Sequence, residues 1–329
     1  MPATAPHTQV ISVRPVTLPA PSRGHDLEVR ITAPITGTEL PVIVFAHGFG
    51  QSMTGGDPLV DHWTAGGFVV VQPTFLDSTK YGLTLDDPRY PTIWQTRVDD
   101  LERVIDDLDV LVAAVPGLAG RVDQANLAVA GHSWGGQSVG MLLGARVIGS
   151  DGQPGEDRTD QRVRAGVLLS TTGFGGPDLT PFAQEHFPFM SPDFSQLRTP
   201  SLVVAGDHDQ SRLSTRGPDW FTDVYHHSPG ARHLVTVHGG EHLLGGIQDY
   251  ASTATTDESP ERVDLVRRTT TAFLRTALGL DADAWSATAD AVASAEAGDA
   301  VGHTDAVGHI DAVGHIDAVG HIDSKEDHS

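Results

Sequence analysis

The stretch VAGHSWGGQSVG, residues 129–140, sets Ser133 between Gly131 and Gly135. It follows an apolar run and precedes a helical pattern. Gly131-His132-Ser133-Trp134-Gly135 fits the G-x-S-x-G bend, in which a sharp turn from strand to helix pushes a serine hydroxyl out at the end of a sheet. A serine hydroxyl is a weak nucleophile near neutral pH. It needs a base to take its proton and a third group to orient that base. Downstream, LVVAGDHDQ ends an apolar run with Asp207 and Asp209, and VHGGEHLLGG supplies His238 and His242. An acid in the loop just beyond its strand favours Asp209 over Asp207, which sits at the strand end and reads as a turn cap. The same reasoning favours His242 over His238, with Glu241 a third choice of acid. An oxyanion needs two backbone N–H groups. One belongs to Trp134, and the loop Ala46-His47-Gly48-Phe49-Gly50 offers the other at Phe49.

One other string has a chemical reading. His238-Gly239-Gly240-Glu241-His242 matches the H-x-x-E-H zinc pattern. That site needs a continuous helix, which the two glycines disfavour by about 2 kcal/mol relative to alanine. No metal and no cofactor is expected, since neither a P-loop string nor a dinucleotide fingerprint is present.

These groups must be held by a framework, and the first 280 residues alternate strand-like and helix-like segments. Strands are expected at 10–18, 27–33, 41–48, 67–73, 125–133, 163–170, 200–207 and 232–239. The inner ones are nearly continuous Val/Ile/Leu runs, as in strands buried on both faces of a parallel sheet. Between them, Trp94 to Val115 carries an apolar stripe of helical period, and further helices are expected at Ser138–Ile148 and Arg262–Leu280. The pattern predicts an α/β protein with a mostly parallel eight-stranded sheet covered by helices on both faces. The Phe-rich segment 171–194 reads either as a cap over the site or as ordinary core, and the loop 74–91 as its opposite wall.

The domain is expected to occupy residues 1–280. From Asp281 to the end, eleven carboxylates face one lysine and supply −10 of the net −22. Residues 301–323 repeat VGHTDA, VGHIDA, VGHIDA, VGHID, which reads as a disordered acidic tail not needed for the chemistry. Metal capture by His303, His309, His315 and His321 is the sharper reading of the repeat, though nothing fixes a geometry. The negative charge argues against nucleic acid or an anionic membrane as partner. With no cysteine, disulfides and thiolate metal sites are excluded. The N-terminal residues have neither a basic nor an apolar targeting region, so a cytoplasmic protein is expected; assembly into a homo-oligomer is left open.

AHGFGQS, GHSWGG, AGDHD and GGEH, in this order over residues 10–280, make the chain resemble the α/β-hydrolase superfamily. The resemblance is to chlorophyllase-like and to bacterial cutinase- or polyester-hydrolase-like esterases. It implies Ser133 as nucleophile, His242 as base, Asp209 as acid, and Phe49 and Trp134 as oxyanion donors. The expected function is a serine carboxylic-ester hydrolase, an esterase or lactonase, acting through an acyl-enzyme on a bulky apolar or aromatic ester. A serine peptidase or thioesterase and a non-catalytic binding protein on the same fold are the alternatives.

Overall fold

The computed structural model describes residues 9–250, 254–302 and 319–325. Val10–Leu18 (β1), Leu27–Pro34 (β2) and Leu40–Ala46 (β3) open the chain, followed by Asp57–Ala65 (α1) and Val69–Pro73 (β4). Ile93–Asp106 (α2) and Leu108–Ala113 (α3) lead into Val122–His132 (β5) and Trp134–Leu143 (α4). A two-residue strand, Arg146–Val147 (β6), precedes Val163–Leu169 (β7) and Pro181–His186 (α5). Then come Pro192–Asp193 (β8), Ser201–Gly206 (β9), Asp223–His227 (α6) and Ala231–Val237 (β10). Pro260–Ala277 (α7), Ala284–Gly302 (α8) and Gly320–Ser324 (β11) complete the order.

All eight expected strands lie in one sheet, ordered β1-β2-β4-β3-β5-β7-β9-β10-β11. From β4 to β10 neighbouring strands run parallel, and β1, β2 and β11 pair antiparallel. The inner strands are buried on both faces, which is why their sequences lack polar alternation. One core packs α2, α3 and α4 on one face through residues such as Val98, Leu101, Leu111 and Val139. The other packs α1, α7 and α8 on the opposite face through Trp63, Val266, Phe273 and Val292. Among the described residues no helix is long and apolar enough to cross a membrane.

Two expectations are corrected. The helix read over 94–115 is two helices, α2 and α3, meeting at Asp107. The acidic segment after Asp281, expected as a disordered tail, holds a helix and a strand among its described residues. Alanine-rich α8 docks through Trp285, which lies edge-on to Phe273 at 5.9 Å and against His233 at 4.4 Å, and through buried Val292. β11 then adds a ninth strand along β10. A few apolar anchors suffice here, although the segment as a whole is polar. His303, His309 and His315 lie outside the described residues, while His321 sits in β11 with its Nδ1 2.8 Å from His238 Nε2.

Candidate active site

The central strand β5 delivers Ser133 to the carboxyl edge of the sheet. Ser133 has φ 56° and ψ −122°, a conformation costly for any residue with a side chain, and its N–H is held by the Leu169 carbonyl at 2.9 Å. Close approach explains the flanking glycines. A Cβ on Gly131 would lie 2.3 Å from the Gly135 carbonyl oxygen, and one on Gly135 would lie 2.0 Å from that of Ala46. The bend is therefore built by the glycines and by the adjoining end of β3.

His242 stands in the turn after β10, with its Nε2 2.9 Å from Ser133 Oγ. Its Nδ1 lies 3.0 and 3.1 Å from the two oxygens of Asp209, which is fully buried beyond β9. The structure thus brings the three favoured residues into one hydrogen-bonded line and places their alternatives elsewhere. Asp207 accepts the Gly239 N–H at 2.6 Å, joining the ends of β9 and β10. His238 meets His321, and Glu241 accepts from Thr256 Oγ1. Residues 238–242 form a turn with Gly239 at φ 64°, so the H-x-x-E-H string lacks the helix on which a zinc site of that type depends.

His132, between Gly131 and Ser133, braces His242 from below. Its Nε2–H donates to the His242 carbonyl at 2.7 Å. Burial, with the neighbouring His242 ring adding to it, lowers its pKa to about 3, so it stays a neutral spacer.

Trp134 begins α4, where helix geometry leaves the first N–H groups without partners and concentrates partial positive charge. Phe49 lies across from it, with the two rings 4.8 Å apart. The loop carrying Phe49 is clamped by a buried ion pair that the sequence reading missed. Arg97 of α2 bonds Asp77 Oδ1 at 2.6 Å, donates to the His47 carbonyl, and reaches Ser138 Oγ at 2.9 Å. Ser138 Oγ in turn donates to the Trp134 carbonyl at 2.8 Å, and Asp77 Oδ2 accepts the Gly50 N–H at 3.2 Å. One guanidinium thus ties together the two backbone segments that bear the Phe49 and Trp134 amides. Burial pushes the Asp77 carboxyl up, but Arg97, His47 and the Gly50 N–H together hold it below the usual carboxylate range. His47 donates from Nδ1 to the Gly48 carbonyl at 2.7 Å and accepts the Phe75 N–H at 3.0 Å. Burial, with Arg97 second, lowers its pKa to about 4. A signal was present in the sequence: Arg97 falls on the apolar stripe of its helix, four residues from both Ile93 and Leu101.

Above Ser133 opens a cavity of about 560 Å³. Its walls include Trp134, Phe187, Met190, Trp220 and Phe221, and among its lining residues none is Asp, Glu, Lys or Arg. At its mouth Phe49 and Phe182 are about half exposed, 51% and 49%. Both readings of segment 171–194 apply. Phe182 and Phe187 face the cavity, while Phe189 and Phe194 are buried in the core. From the opposite loop, Tyr90 and Leu85 line the cavity, whereas Phe75 packs under Arg97 at 4.0 Å and Tyr81 turns toward His25.

Sheet order, bend and serine–histidine–aspartate line define an α/β-hydrolase fold. Residues 6–146 match the family model described as Chlorophyllase, a range that includes Phe49 and Ser133 but stops short of Asp209 and His242. The chain is similar in structure to a ferulic acid esterase from Streptomyces cinnamoneus, with TM-score 0.55, 18% identity, and coverage of 84% of this chain and 91% of that one. It is also similar to the esterase of the archaeon Pyrobaculum calidifontis. In its monoclinic form the TM-score is 0.53 at 20% identity, covering 83% of this chain and 87% of that one. No curated protein sequence matches the chain.

Proposed function

We propose that the protein is a serine carboxylic-ester hydrolase, an esterase or lactonase, working through an acyl-enzyme. Ser133 Oγ attacks the ester carbonyl while His242 Nε2 takes its proton. Asp209 holds the imidazole in the tautomer that presents Nε2 to Ser133 and favours the imidazolium that forms. The Phe49 and Trp134 amides receive the developing oxyanion. His242 returns its proton to the leaving alcohol, and a water activated by the same imidazole releases the acid and restores Ser133. With a lactone both products remain one molecule.

The observation that carries this reading is the line Asp209–His242–Ser133, at 3.0 and 2.9 Å, opening into an uncharged aromatic cavity. A cavity of that character favours a neutral, bulky apolar or aromatic ester as substrate, because a charged one would lose its hydration without gaining a partner. A peptidase or thioesterase would use the same line, and a binding protein would not turn over. A hydrolysis screen over p-nitrophenyl esters, aryl lactones, thioesters and peptides, run on wild type and on Ser133→Ala, tests the reading. Turnover of apolar esters that falls below about 1% in Ser133→Ala is expected. Turnover unchanged in that variant, or none on any ester, would overturn it.

A further inference from the structure

The outermost parallel strand, β10, would leave a row of unpaired backbone groups along its free side, a template for association. β11 covers that side from Gly320 opposite Val237 to Ser324 opposite His233. The ladder is extended by the His238 N–H donating to the Val319 carbonyl at 2.9 Å and the Lys325 N–H to the Arg232 carbonyl at 3.0 Å. This seat is selective. A Cβ on residue 320 would lie 2.3 Å from the Thr236 carbonyl oxygen and 2.6 Å from Leu265 Cδ2, so only glycine fits. The next residue meets His238 through an imidazole nitrogen at 2.8 Å. Val319 and Ile322 pack on the core beneath α7 and α8.

The residues that occupy this seat, Val-Gly-His-Ile-Asp, are the ones the chain repeats. Val313–Asp317 duplicates Val319–Asp323 without a change, and Val307–Asp311 does so again. We propose that the free side of β10 is a docking site for this pentapeptide and that Val313–Asp317 is its spare occupant within the same chain. A slip by one repeat moves the strand six residues. Six is even, so each residue of the pentapeptide is replaced by an identical one on the same face. The connector from α8 shortens from residues 303–319 to 303–313, which alters loop-closure probability only about twofold. What favours the last copy lies beyond the pentapeptide. Ser324 Oγ is 2.7 Å from His233 Nδ1, and Lys325 Nζ donates to the Ser228 carbonyl at 2.6 Å and sits 4.9 Å over the Tyr225 ring. The spare copy is followed instead by Ala318 and Val319. The edge therefore stays covered when the terminal copy is damaged or clipped.

The test uses full-length chains. Gly320→Val blocks the last copy, and Gly308→Val, Gly314→Val and Gly320→Val together block all three. Hydrogen exchange of the β10 amides is read by mass spectrometry, with melting and sedimentation alongside. The single variant should keep the wild-type sedimentation behaviour and β10 protection within about tenfold of wild type, while the triple variant should lose about a hundredfold or more. Equal loss in both would show that no spare docks, and no loss in either would show that the seat does not select glycine. Protection in the single variant that depends on protein concentration would assign the occupant to a second copy and overturn the proposal.

Discussion

Replacing Arg97 by methionine tests how far the loop of Phe49, the proposed oxyanion donor, depends on a side chain remote from the cavity. The variant keeps a long apolar stem over Phe75 but removes the guanidinium from Asp77, the His47 carbonyl and Ser138. Arg97 and Asp77 are 1% and 0% exposed, so the carboxylate left behind has no water to turn to. Breaking a buried pair of this kind costs about 3–5 kcal/mol. For a chain of this size that is a fall in Tm of roughly 4–7 °C. The pH dependence gives the cause a sign. In wild type the Asp77 pKa lies below its unfolded value, so the group contributes stability above the unfolded pKa and loses it as pH falls through the folded one. Without Arg97 burial dominates, the folded pKa rises above the unfolded value, and protonation relieves the strain. The Tm deficit should therefore shrink from pH 8 to pH 5. Below the melting range, kcat on an apolar aryl ester should drop about a hundredfold, the lower end of what losing one oxyanion donor costs. KM should stay within about threefold, because the cavity walls are untouched. Arg97→Lys should restore part of the stability and little of kcat, since an ammonium cannot reach all three acceptors at once. An unchanged kcat in Arg97→Met, or a Tm deficit that grows on acidification, would refute this reasoning.

Further outcomes follow from the same geometry. Gly135→Ala places a methyl against the Ala46 carbonyl and should abolish soluble expression or activity, whereas Gly152→Ala, with open space at its Cβ, should cost only the about 1–2 kcal/mol of a side chain held at φ 74°. Ending the chain after Leu280 uncovers Phe273 and the β10 edge and should lower Tm by at least about 5 °C; an unchanged melting curve would mean α8 and β11 do not dock. Stability should fall as pH drops from about 6.5 toward 4, because unfolding lets His47 and His132 take up protons that their buried positions refuse. A Tm flat over that range would contradict the assignment of both as neutral. Phe187→Ala enlarges the cavity wall and should raise KM for bulky aryl esters severalfold while leaving acetate esters near wild type.

What could be read from the sequence divides along physical lines. The eight strands were legible because burial on both faces writes itself as continuous Val, Ile and Leu. Ser133, Asp209 and His242 were legible because each stands at or just beyond a strand end, where sheet geometry gathers side chains. β11 was hidden because it has one large apolar residue, Ile322, inside a polar repeat, and a sheet edge asks for little more. α8 was hidden because alanine gives it helical propensity without an apolar stripe, and its docking rests on Trp285 and Val292. A compositional boundary at Asp281 averaged over these anchors and so missed them. The Arg97–Asp77 clamp joins a helix to a loop twenty residues away and exists only once the sheet has formed. An arginine on the buried face of α2 was its one trace in the sequence.

The central claim is that Ser133 is made nucleophilic by His242. Intact mass and peptide mapping after reaction with a fluorophosphonate measure it directly. The account predicts one phosphonyl adduct per chain, located on Ser133, absent in Ser133→Ala, and formed at least about a hundredfold more slowly in His242→Ala but at near wild-type rate in His238→Ala. An adduct on another residue, or full reactivity in His242→Ala, would contradict it.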